Sequence, residues 1–242
     1  MGRKFHIGCS GYYYPSWKGK FYPENLQAKQ WLEYYSSKLN TVELNSSFYR
    51  VPKISDLKKY SGITPAYFTF SAKMSKYITH ILKLKNSRQL IDDFQNLLRE
   101  GLGDKLSYFL FQLPPSFQFS SENLETIISN IPHEINNVIE FRHQSWWNND
   151  VKNEITNAGI TFCNVDFPGL ATPFINTTTN FYLRLHGNPE LFKSCYTRAQ
   201  LSDFYEKIPA NCTKCTVYFN NTTYEAAYTN AFQLIEIINS HT

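Results

Sequence analysis

Eight short segments in which side-chain character alternates residue by residue are spread over the whole chain. They are Phe5 to Cys9, Thr41 to Leu44, Tyr67 to Ala72, Ser107 to Leu113, Val138 to Phe141, Ile160 to Val165, Phe181 to His186 and Thr216 to Phe219. A period of two marks a strand, because alternate residues face opposite sides of a sheet. Most intervals between these segments carry apolar residues at helical spacing. Strand alternating with helix argues for a parallel sheet, since parallel neighbours need crossover connections. A chain of 242 residues has the length of one α/β fold of the TIM type, an eight-stranded parallel (β/α)8 barrel. No internal repeat, low-complexity tract or Gly/Ser linker divides it, so residues 1–242 read as a single domain.

Several helices announce their ends. Leu124, Ile127, Ile128 and Ile131 form one apolar stripe behind the cap candidates Ser120 and Ser121. Thr197 with Gln200 makes a capping box ahead of Leu201, Phe204, Tyr205 and Ile208. Leu90, Ile91, Phe94, Leu97 and Leu98 follow Ser87, and Tyr224, Ala227, Tyr228, Ala231, Leu234, Ile235 and Ile238 form a last stripe.

Phasing the eight strands separates two faces. One is apolar throughout: Ile7 and Cys9, Val42 and Leu44, Phe68 and Phe70, Phe109 and Phe111, Ile139 and Phe141, Cys163 and Val165, Leu183 and Leu185, Val217 and Phe219. It suits the layer beneath the helices. The other carries His6 and Ser10, Glu43 and Asn45, Ser71 and Lys73, Gln112, Glu140 and Arg142, Asn164 and Asp166, Arg184 and His186, Tyr218 and Asn220. In a closed barrel these point inward, where an unpaired charge costs several kcal/mol. They also gather toward the C-terminal strand ends, where barrel enzymes hold their active sites.

Composition narrows the rest. A hydrophobic share of 42% excludes a disordered chain, and a net charge of +4, dispersed and without a basic arm, disfavours a nucleic-acid partner. With no signal-peptide core and no apolar stretch near 20 residues, the expectation is a cytoplasmic protein without a membrane partner. Five cysteines then read as reduced thiols. The Cys212-x-x-Cys215 pair lacks both a second ligand pair and a following helix start, so a zinc or redox role is disfavoured.

At these same positions the chain resembles the YecE-like proteins, also catalogued as domain of unknown function number 72. The matching segments include Gly8-Cys-Ser-Gly-Tyr-Tyr-Tyr-Pro-Ser-Trp17, Asn40-Thr-Val-Glu-Leu-Asn-Ser-Ser-Phe-Tyr-Arg50, Thr79-His80, Phe111-Gln-Leu-Pro-Pro-Ser116, Glu140-Phe-Arg-His143, Tyr182-Leu-Arg-Leu-His-Gly187 and Tyr218-Phe-Asn-Asn221. The resemblance implies a β/α barrel and carries no assigned activity. The chain departs from the family after Asn221, reading Thr222-Thr223-Tyr224 where an Asp and small residues are usual.

Glu43-x-Asn45, Glu140-x-Arg142 and Arg184-x-His186 each place two polar groups on one strand face, about 7 Å apart. Glu43, Glu140 and Asp166 balance Lys73, Arg142 and Arg184. Such a set is either a self-satisfied ion network or a site, and networks of this kind concentrate at active sites. The candidate catalytic residues are Glu43, Lys73, Glu140, Asp166 and His186, with the glutamates as general bases, His186 as acid or base, and Lys73 as anion binder or nucleophile. Candidates for substrate binding are Ser10, Tyr12, Trp17, Asn45, Tyr49, His80, Gln112, Arg142, Arg184 and Asn220. The loop Tyr12 to Trp17 is either a stacking surface for a sugar or base or a packed lid. His143 and Trp146 form either a stacking wall or core. Glu43, Glu140, Asp166 and His186 are also donors for a divalent metal, but the three cations oppose one and favour a small anionic molecule without a cofactor.

Overall fold

Parallel pairing runs unbroken around one sheet in the computed structural model, which describes residues 3–170 and 173–241. The strands are β1 (Lys4–Cys9), β2 (Thr41–Leu44), β3 (Thr69–Lys73), β4 (Leu106–Gln112), β5 (Asn137–Glu140), β6 (Thr161–Asp166), β7 (Asn180–Leu185) and β8 (Lys214–Phe219). Each pairs with the next, and β8 closes on β1 through six residue pairs from Lys4–Lys214 to Cys9–Phe219. The expected barrel is the observed one. β3 starts later than its pattern implied, because Tyr67 lies in a turn in which the Phe68 N–H reaches back to the Pro65 carbonyl.

The helices are α1 (Trp31–Ser36), α2 (Ser46–Tyr49), α3 (Ile54–Ile63), α4 (Arg88–Leu102), α5 (Ser121–Asn130), α6 (Asn149–Asn157), α7 (Arg198–Glu206) and α8 (Ala226–Ser240). Ser120 caps α5 by accepting from the Asn123 N–H, and Thr197 and Gln200 form the full capping box of α7. Ser87 precedes α4 but gives its hydroxyl to the Lys85 carbonyl, so it caps nothing. Tyr224 falls outside α8 and is exposed. Trp146 stacks on Phe141 at 4.2 Å and on Phe117 at 5.6 Å, wholly buried, so it is core and not a stacking wall. All five cysteines are unpaired thiols. Among the described residues no helix is long and apolar enough to cross a membrane.

Seven strands carry the expected phase, and β6 carries the opposite one. Cys163 and Val165 turn inward, joining Tyr108, Leu110, Val138, Tyr182 and Tyr218 in an apolar plug that fills the middle of the barrel. Phe162, Asn164 and Asp166 therefore face outward. The cause lies outside the barrel. No helix covers β6 among the described residues of its connection to β7, and an irregular segment lies there whose backbone groups need partners. The Asn164 amide accepts from the Ile175 N–H at 2.7 Å and donates to the Ile175 carbonyl at 3.0 Å. Thr177 adds a bond from the Phe162 N–H and one to the Ile160 carbonyl. Asn164→Ala is expected to cost about 1–3 kcal/mol, the penalty for a buried amide left unsatisfied. Denaturant unfolding measures it, and a loss below about 0.5 kcal/mol counts against this role.

Candidate functional site

Above the apolar plug the barrel closes with ions. Arg184, from β7, is 1% exposed and lies between two carboxylates that are 0% exposed. Its Nη2 and Nε donate to Glu43 Oε1 at 2.6 and 3.1 Å, and its Nη1 donates to Glu140 Oε2 at 2.7 Å. Glu43 also accepts from Ser10 at 2.8 Å and from the Tyr182 hydroxyl at 2.8 Å. Residues from β2, β5 and β7 are thus tied across the barrel axis. The geometry follows from register: Glu43, Glu140 and Arg184 all stand near the C-terminal ends of parallel strands and on inward phases.

One layer higher, Arg142 follows β5 and forms an ion pair through Nε with Glu140 Oε1, while its guanidinium lies 4.2 Å from the Phe167 ring centre. Its Nη2 meets His186 Nε2 at 3.1 Å, and His186 Nδ1 meets the Asn220 amide at 2.8 Å. A guanidinium only donates, so Nε2 accepts from Arg142, and the Asn220 atom that faces Nδ1 is the amide nitrogen. Lys73, at the end of β3, donates to Gln112 Oε1 at 2.7 Å and stands 4.1 Å from the Phe48 ring centre. No carboxylate lies within ion-pair distance of it among the described residues.

These groups border a cavity of about 440 Å³ at the mouth, lined by Asn45, Phe48, Tyr49, Lys73, Lys76, His80, Gln112, Pro115, Arg142, Phe167, Arg184, Leu191, Phe192 and Asn220. Four cationic side chains reach its wall and neither glutamate does. Burial pushes Glu140 upward, but Arg142 and Arg184, with His186, outweigh it and hold its carboxyl well below the usual range. A carboxylate so stabilised is a poor general base. Burial and Arg142 hold His186 well below its ordinary value, so it stays neutral and serves to aim Arg142. Burial, with Arg184, lowers Lys73 to about 8, and burial, with Lys73 and Lys76, lowers His80 to about 4.

The anticipated residues divide by place. Asn45, Tyr49, Lys73, His80, Gln112, Arg142, Arg184 and Asn220 line the cavity; Ser10, Glu43, Glu140 and His186 form or brace its floor. Asp166 is elsewhere. The phase reversal of β6 turns it to the rim, where it accepts from the Tyr196 hydroxyl at 2.6 Å and from Asn188 at 3.2 Å. Trp17 is buried against Tyr14, Phe21 and Tyr228 with its indole N–H on the Tyr224 carbonyl, so that part of the aromatic loop is a packed lid. Tyr12 packs on Tyr35 and Tyr60 and borders a second pocket, of about 380 Å³, beside the first. Asn45 belongs to both pockets, and its buried Oδ1 has no partner among the described residues. Phe48, Phe167 and Phe192 were not anticipated; Phe167 directly follows β6, a position that alone marked it as a mouth residue. His143 bonds locally, to Ser145.

With Asp166 outside, only two of the three expected carboxylates, Glu43 and Glu140, face Lys73, Arg142 and Arg184, one positive charge in excess within that set. No three His, Cys, Asp or Glu side chains come together as a metal site among the described residues, and the glutamate oxygens are engaged by arginines.

A family described as Protein of unknown function DUF72 matches residues 6–242. The UPF0759 protein YunF of Bacillus subtilis (strain 168) is 29% identical over 134 residues, 52% of this chain and 47% of that protein. The UPF0759 protein YecE of Escherichia coli (strain K12) is 25% identical over 130 residues, 53% of this chain and 47% of that protein. The chain thus spans about half the length of the curated relatives it matches. The crystal structure of a DUF72 family protein from Thermotoga maritima MSB8 superposes with a TM-score of 0.88 at 29% identity, over 98% of this chain and 100% of that one. Another, from Enterococcus faecalis V583, gives 0.76 at 19% identity over 97% and 95%, a likeness of fold.

Proposed function

The chain belongs to the DUF72 family, and from the chemistry of its barrel mouth we propose that it is an enzyme acting on a small molecule that carries a phosphate or carboxylate group. The observation that carries this reading is the division of charge: Lys73, Lys76, Arg142 and Arg184 border the cavity while Glu43 and Glu140 stay below it. Arginine forks and a lysine ammonium suit oxyanions. The proton carrier in this reading is Lys73, since a group near 8 exchanges its proton at neutral pH, whereas Glu140 is held as an anion and His186 as a neutral ring. The site is read as metal-free, because its carboxylates already serve arginines. A cavity rather than a surface track of cations favours a small molecule over a nucleic acid, and Lys85 is turned to Glu122. Five unpaired thiols favour the cytoplasm.

Calorimetric titration with inorganic phosphate, and a turnover screen of small phosphate esters and carboxylates, test the reading together. Binding without turnover of any compound leaves a ligand-binding barrel; absence of both ends the proposal. Affinity should also depend on pH in a stated direction. Lys73 contributes as the ammonium, which predominates well below pH 8, is half lost at about that value and disappears above it. Phosphate affinity is therefore expected to fall between roughly pH 7 and 9 in the wild type and to stay flatter in Lys73→Arg, whose guanidinium keeps its charge. An equal fall in both proteins counts against Lys73.

A further inference from the structure

Lys73 differs from the two arginines beside it in having no carboxylate within ion-pair distance among the described residues. Arg184 is bound to both glutamates and Arg142 to Glu140, whereas the Lys73 amine has one neutral partner, Gln112 Oε1, above the face of Phe48. A carboxylate beside it would hold the ammonium charged and occupied. Instead an amide oxygen receives one N–H, and the nitrogen borders a cavity whose wall also carries Arg142 and Arg184.

Resting on the anion-site reading above, we infer that Lys73 is a nucleophile that forms an imine with an aldehyde or ketone carrying a carboxylate or phosphate group. Arg142, at the cavity wall, holds the anionic group and so brings the carbonyl carbon to the amine. The ammonium first releases a proton to water. The nitrogen lone pair then forms a C–N bond as the carbonyl π pair moves to oxygen, which takes up a proton to give a carbinolamine. The nitrogen then passes one proton, through water, to the hydroxyl, and its lone pair expels that oxygen as one water to leave the protonated imine, with the positive charge back on nitrogen. No oxidant, reductant or second substrate enters. The protonated imine withdraws electrons from the adjacent carbon, so proton transfer or carbon–carbon bond cleavage there is the class of reaction served.

The site is favourable for the free amine. With Lys73 near 8, the neutral fraction at pH 7 is on the order of a hundredfold above that of an exposed lysine. The test treats the native wild-type protein at pH 7 with glyoxylate or pyruvate and cyanoborohydride, followed by peptide mass mapping over time. Lys73 is expected to gain the reduced adduct at least roughly tenfold faster than the exposed Lys29 and Lys53, a difference abolished in urea and suppressed by inorganic phosphate. Labelling of Lys73 at or below the rate of those two lysines overturns the inference. If phosphate binds by calorimetry and no such adduct forms, the imine falls while the anion site stands; if phosphate does not bind, both fall. Relative to Lys29 and Lys53, acetaldehyde, which lacks an anionic group, should label Lys73 with less preference than glyoxylate does, and an equal preference removes the role given to Arg142. The measurement needs no variant, so misfolding does not confound it.

Discussion

Arg184→Met is expected to lower the unfolding free energy by about 3–5 kcal/mol, the cost of leaving buried charge without its partner. Glu43 and Glu140 would face each other across the barrel with no solvent and one cation fewer. Glu140 would keep Arg142, but Glu43 would retain only the hydroxyls of Ser10 and Tyr182. Denaturant unfolding with an unchanged slope reads the loss as stability rather than as a change in the denatured chain. Adding Glu43→Gln to Arg184→Met should recover part of it, because an amide satisfied by two hydroxyls needs no counter-ion. A loss below about 1 kcal/mol would show that the floor is hydrated and that burial is not what the ion pairs answer.

The second large effect falls on binding. Arg142→Ala is expected to weaken inorganic phosphate by roughly 10- to 100-fold, the worth of charged hydrogen bonds to a ligand, while costing less stability than Arg184→Met. The asymmetry follows from position. Arg142 reaches the cavity wall, and its loss leaves Glu140 still bound to Arg184. Isothermal titration separates the two variants, and unchanged affinity in Arg142→Ala would remove the cavity from consideration as the anion site. Phe167, which stacks under the guanidinium, makes Arg142→Lys an informative companion: it keeps charge but loses the planar fork and the stacking.

Most of the barrel was legible because both of its periodicities are written locally. Glu43, Glu140, Arg184 and His186 announce themselves by standing on an otherwise hydrophobic strand, one residue out of step with the core face. β6 misled because Phe162, Asn164 and Asp166 alternate with Cys163 and Val165, so neither phase is purely polar. What decides between them is a contact some ten residues away, the Ile175 backbone, which no local pattern records. Trp17 misled differently. A loop after the first strand must reach the mouth, but whether its indole faces ligand or packs against α8 depends on Tyr228, over 200 residues on. The division of labour between Arg184 below and Lys73 above was equally beyond the sequence, since both are single cations at the ends of strands.

The tie between β2, β5 and β7 also has a bearing on how such a protein changes over generations. Glu43 and Glu140 share Arg184, so a substitution at any one of the three alone leaves at least one buried charge short of a partner. Replacing this floor without loss of stability therefore calls for concerted substitution or passage through a weakened intermediate. Tyr49, Phe192 and the other uncharged rim residues lie outside this ion network, and they can be substituted one at a time to accept a different ligand over an unaltered floor.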